Sequence, residues 1–132
     1  MTTFNFTYLN NYKNHGQDAE QSVRFVLTGE IAKADNLPHW AGGDCLNYQI
    51  KSARATICKG DNLKAYLDMD GATAYIYASN DGIAYIMNRT EYESFCTEFA
   101  TLTYESGKNG GGCKLRLKSE GKAMVEWLRA KA

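Results

Sequence analysis

The chain has 132 residues, 44% hydrophobic and 23% charged; that is the composition of one folded domain over 1–132, and it excludes a mostly disordered chain or two independent cores. Fifteen Lys and Arg balance fifteen Asp and Glu, so net charge singles out no polyanionic partner and any nucleic-acid surface must come from local segregation of charge. No apolar run approaches the roughly 18 residues of a membrane span, and Met1-Thr2-Thr3-Phe4-Asn5 lacks a basic region followed by an apolar one; the expectation is a soluble, cytoplasmic protein with no membrane partner.

In chain order, Phe4 to Leu9 alternates weakly, as a short strand or an arm, and Asn10 to Gly16 is polar and turn-rich. From Gln17 to Thr28, Ala19, Val23, Val26 and Leu27 fall on one helical face, and Gly29 ends the helix. At 100° per residue Glu20 lies about 20° from Leu27, at the border of that apolar stripe. Asp35 to Gly43 is a loop with the only proline, and Asp44 to Cys58 reads as strand, short turn and longer strand. Asn62 to Leu67 fits either helix or strand, and Asp68-Met69-Asp70-Gly71 reads as a turn. Ala74–Ala78 and Ile83–Met87 flank Ser79-Asn80-Asp81-Gly82, a hairpin signal. Thr90-Glu91-Tyr92-Glu93 has the form of a capping box, opening a helix with Tyr92, Phe95, Cys96, Phe99 and Leu102 on one face. Gly107 to Gly112 is a loop. Leu115 and Leu117 then alternate with Lys114, Arg116 and Lys118, a strand with one basic face, and a terminal helix starts from Ser119. The plan is mixed α+β, with a central mixed sheet flanked by helices.

Cys45, Cys58, Cys96 and Cys113 form no CxxC pair, and with His15 and His39 they match no zinc spacing, so reduced and mostly buried thiols are expected. The nine tyrosines suit base stacking, an interface or half-buried sheet positions.

The chemistry-bearing cluster is Glu20, Gly42-Gly43-Asp44 and Gln49-Ile50-Lys51-Ser52. On a strand Gln49 and Lys51 point to the same face, presenting a carbonyl oxygen and an ammonium together. If the four residues between Asp44 and Gln49 form a hairpin loop, the two side chains become cross-strand neighbours with Cβ atoms roughly 5 Å apart. A straight strand would put them around 16 Å apart, too far to share a metal. In this order the residues resemble the PD-(D/E)XK nuclease superfamily, with a Q-x-K variant like that of Mrr-type restriction nucleases; the resemblance covers residues 16 to 58. It implies a restriction-endonuclease-like core and Mg²⁺-dependent hydrolysis of DNA phosphodiesters, with Mn²⁺ able to substitute. Asp44, Gln49 and Glu20 would be the metal ligands, and Lys51 would act at the scissile phosphate. The Asp44 to Gln49 gap is shorter than the family's usual spacing, so Asp35 is the alternative metal ligand.

Ser52, Arg54, Lys114, Arg116 and Lys118 are the expected DNA-binding residues, the last three spaced at about 6.5–7 Å, near the phosphate spacing of a strand. A homodimer is expected, since cutting a duplex needs two sites, with the hairpin from Ala74 to Met87 as interface. A catalytically inactive DNA-binding module of the same fold, or a protein-interaction domain docking through its Tyr-rich hairpin, are the other readings.

Overall fold

The computed structural model describes residues 1–29, 48–104 and 112–132. The elements are β1 (Thr2–Asn5), α1 (His15–Thr28), β2 (Tyr48–Lys51), β3 (Thr56–Lys59), α2 (Leu63–Asp70), β4 (Ala74–Ala78), β5 (Ile83–Met87), α3 (Arg89–Phe99), β6 (Ala100–Tyr104), β7 (Cys113–Leu117) and α4 (Lys122–Lys131). The mixed α+β class is as expected, but the strands form two sheets rather than one. The first has the order β1-β5-β4-β2 and the second β3-β7-β6. Among the described strands only β2 and β4 run parallel, with Gln49 opposite Tyr75 and Lys51 opposite Tyr77. The chain leaves the first sheet at Lys51 and enters the second at Thr56, so β2 and β3 are not a hairpin.

Strands β4 and β5 are buried on both faces, which is why they read as almost unbroken apolar runs. On one face Ile50, Ile76, Ala78 and Ala84 pack with Ala19 and Val23 of α1. On the other, Tyr75, Tyr77, Tyr85 and Met87 pack with Tyr92 and Phe95 of α3, Met124 and Leu128 of α4, and Ile57 and Leu117 of the second sheet. Tyr75 stacks on Tyr92 with ring centroids 4.2 Å apart. The hairpin residues Tyr75, Ile76, Tyr77, Ala84, Tyr85 and Met87 are all at most 2% exposed. The hairpin is therefore core, neither the dimer interface nor the docking surface expected of it. Its turn is closed by the Gly82 N–H donating to the Ser79 carbonyl at 3.1 Å. Gly82 has φ +85, and a Cβ there would stand 2.7 Å from the Phe6 carbonyl oxygen.

Several boundaries differ from the sequence reading for identifiable reasons. On α1 the buried residues are Asp18, Ala19, Gln21, Ser22 and Val23, while Val26 is exposed. The polar members hold the arm that precedes the helix: the Asp18 carboxylate accepts from the Asn10 and Asn11 amides at 3.2 and 3.1 Å, and Ser22 Oγ accepts from the Leu9 amide at 2.9 Å. Gly29 ends α1 in the left-handed region, as expected. The capping box of α3 is Asn88 with Glu91, not Thr90 with Glu93. Leu102 is not on that helix but on β6, which pairs with β7; Thr101 and Thr103 favour an extended chain there. The ambiguous segment after Asn62 is α2, ended by left-handed Gly71, and α4 starts at Lys122 rather than Ser119. Cys58, Cys96 and Cys113 are free thiols, the first two buried. No helix among the described residues is long and apolar enough to cross a membrane.

Candidate nucleic-acid interface

The turn between the two sheets organises the site. The Ala55 amide donates to the Ser52 carbonyl at 3.1 Å, Ser52 is buried, and Arg54 sits in the left-handed region at φ +64. Three contacts stitch this turn to the end of β7. The Arg54 amide donates to the Lys118 carbonyl at 3.3 Å, and the Leu117 amide to the Ala55 carbonyl at 2.9 Å. Arg116 reaches the Arg54 carbonyl with Nε at 3.2 Å and Nη2 at 3.1 Å. Two of its five N–H donors are used there, and three remain for another acceptor.

Arg116 stands on one face of the second sheet, opposite Thr56 and Thr101 on its neighbouring strands. Lys114 is opposite Lys59 and Thr103. The expected stripe of Lys114, Arg116 and Lys118 is thus altered. Lys114 is half-buried, Arg116 turns toward Arg54, and Lys118 lies just past the strand. Lys59 joins the group. The sequence reading ends its strand at Cys58, and simple alternation would put Lys59 on the face of buried Ile57; the register shift between Thr56 and Cys58 is what brings it opposite Lys114. Among the described residues no ion pair neutralises Arg54, Lys59, Arg116 or Lys118. The balanced net charge therefore coexists with a local gathering of cations around the β2–β3 turn and β7.

Beside this face are two adjoining depressions, of about 580 and 460 Å³, that share His15, Ala53 and Arg54. The smaller is also lined by Ser52, Thr56 and Arg116 and has no carboxylate in its wall among the described residues. The larger is lined by Tyr8, Asn80 and Glu120. Glu120 is fully engaged on one side: Oε1 accepts from Tyr77 Oη at 3.0 Å and Ser79 Oγ at 2.8 Å, and Oε2 accepts from the Asn80 amide at 3.0 Å. Burial first, and then the Glu120 charge, hold the Tyr8 and Tyr77 hydroxyls protonated well above the usual range. Tyr8 stacks on His15 at 5.4 Å and packs edge-on against Phe6 at 4.9 Å. His15 opens α1 directly after the N-cap Asn14, not in the polar turn that the local composition suggests; an Asn before a helical pattern is the start signal there.

The expected catalytic residues are only partly brought together. Gln49 and Lys51 do share one face of β2, the face of their partners Tyr75 and Tyr77. Ile50 points the other way, to α1. Glu20 is on α1, half-buried, one residue from the Ala19 that packs on that opposite face. Lys51 Nζ donates to the Thr56 carbonyl at 3.1 Å. Burial pushes the nearby Cys96 thiol up to about 12, outweighing the opposing pull of the Lys51 ammonium. Asp44, Asp35, Gly42, Gly43, His39 and Cys45 lie outside the described residues. Among the described residues no group of three or more His, Cys, Asp or Glu is placed to hold a metal ion. No protein-family model, curated protein or solved structure matches this chain.

Proposed function

We propose that this chain binds nucleic acid by its phosphates, through the face formed by Arg54, Lys59, Lys114, Arg116 and Lys118. The observation that carries this reading is the gathering of these cations around the β2–β3 turn and β7, with no ion pair among the described residues on Arg54, Lys59, Arg116 or Lys118. Phosphate contacts release condensed counterions, so affinity should fall steeply with salt and be largely indifferent to sequence. The test is fluorescence anisotropy with labelled DNA in EDTA over 50–200 mM salt, conditions in which this term dominates. Binding that vanishes as salt rises supports the reading, and absence of binding at the lowest salt ends it.

A second reading is Mg²⁺-dependent DNA cleavage, with Mn²⁺ substituting, by Glu20, Asp44, Gln49 and Lys51. Its support is that Gln49 and Lys51 share a strand face, as the PD-(D/E)XK resemblance requires. The described residues alone do not make a metal site, since Gln49 lies on the face of β2 opposite to Ile50, and it is Ile50 that packs on α1, the helix carrying Glu20. Plasmid nicking that needs Mg²⁺ and is lost in Asp44→Asn and in Lys51→Ala, with melting unchanged, would establish it; Asp35→Asn tests the alternative ligand. A homodimer belongs to this reading, one site for each strand, and light scattering with DNA bound tests it. The reduced thiols suit a cytoplasmic setting.

A further inference from the structure

The two depressions beside the basic face differ in charge, and that difference assigns them different parts of one ligand. The smaller offers Arg54 and Arg116 with no carboxylate in its wall among the described residues, at the positive end of α1 where Asn14 caps the helix. The larger shares Arg54 but has the Glu120 carboxylate in place of Arg116, which disfavours an anion, together with the uncharged polar side chains of Asn10, Asn80 and Ser119. Between them stands the exposed ring of His15, lining both, as the last rung of an aromatic series that runs Phe6, Tyr8, His15. Both volumes fall in the range of pockets that hold one small organic molecule.

We propose that this cleft takes a single unpaired nucleotide of a nucleic-acid strand. The phosphate lies at Arg54 and Arg116, and the base stacks on His15 with its edge toward Asn80 and Glu120. The inference rests on the reading that the neighbouring face binds phosphates, and it adds a preference for single strands or frayed ends. Bases in a duplex are stacked on one another and have no face to offer a protein ring, whereas unpaired bases stack readily on aromatic and His side chains. Tyr8 supports the platform from below: its ring is fixed by the contact with Phe6 and by its hydroxyl, which donates to the Ser79 carbonyl at 2.9 Å.

The experiment compares a labelled 12-nucleotide single strand with its duplex against the intact protein, His15→Ala, His15→Phe and the pair Lys59→Ala/Lys118→Ala. His15 is exposed at the first turn of α1, so its replacement should leave the melting curve in place. His15→Ala should weaken the single strand roughly 5- to 150-fold, the effect of losing one stacked base, and should leave the duplex within about twofold. His15→Phe, which keeps a ring, should retain most of the single-strand affinity. Thymidine 5′-monophosphate should compete for the cleft better than thymidine or inorganic phosphate alone. If His15→Ala binds both forms as the intact protein does, while Lys59→Ala/Lys118→Ala weakens both, the cleft assignment is wrong and the phosphate face stands. If the intact protein binds neither form, both fall together.

Discussion

At Arg54 the backbone and the side chain have separable roles. The left-handed backbone turns its carbonyl toward Arg116 and joins the two sheets; the exposed guanidinium is available to a phosphate. A left-handed residue with a Cβ costs about 1–2 kcal/mol, and glycine removes that strain while adding back about 0.5–1 kcal/mol of backbone entropy. Arg54→Gly should therefore melt close to the parent temperature and yet bind DNA more weakly, which circular dichroism and anisotropy together can check. Glu120 behaves in the opposite way. Tyr77 is 0% exposed and its hydroxyl donates to Glu120, so Glu120→Ala leaves a buried donor without a partner and should cost about 2–3 kcal/mol in urea unfolding. Adding Tyr77→Phe should recover part of that loss. A double mutant whose loss equals the sum of the two single losses would show that the pair does not couple.

Helix ends and turns test the architecture at the next scale. Asn88→Ala should destabilise by about 0.5–2 kcal/mol, as loss of an N-cap does, whereas Thr90→Ala, inside the helix and exposed, should change little. Gly82→Ala should be worse than either, because it strains a φ of +85 and drives a methyl group to 2.7 Å from the Phe6 carbonyl. The hairpin around Gly82, the end of α1 at Gly29 and the placing of Gln49 and Lys51 on one strand face were all legible in the sequence, because each depends on local chemistry. The elements that escaped it depend on long-range contacts. Asp18, Gln21 and Ser22 are buried on α1, and Asp18 and Ser22 bind an arm that only the folded chain brings there. β6 follows α3 without a break, so Leu102 fits helical spacing until its pairing with Leu115 is seen. The cleft is likewise tertiary, since His15, Arg54 and Arg116 are far apart in sequence and meet only through the turn that links the sheets.

For the molecule as a whole, the burial of tyrosine and thiol groups fixes the alkaline limit of stability. Burial holds the Tyr75, Tyr77 and Tyr92 hydroxyls above their ordinary range, with Asp70 and Glu120 adding to the first two, and the Cys96 thiol is pushed up to about 12. These groups stay protonated in the folded state after their unfolded counterparts ionise, so the unfolded state binds fewer protons and stability declines as pH rises. The urea midpoint should be steady through neutrality and fall from about pH 9 upward, where free thiols and then phenols titrate; a midpoint level to about pH 11 would contradict this burial. The balanced total charge, by contrast, does not reveal the local segregation of cations around the β2–β3 turn and β7. The most direct measurement of that segregation is the slope of log affinity against log salt for duplex DNA, intact protein against Lys59→Ala/Lys118→Ala. If both lysines contact phosphates the slope should flatten by about 0.9 for each, about 1.8 in all, with the melting temperature unchanged; an equal slope in the two proteins would remove this face from the binding surface.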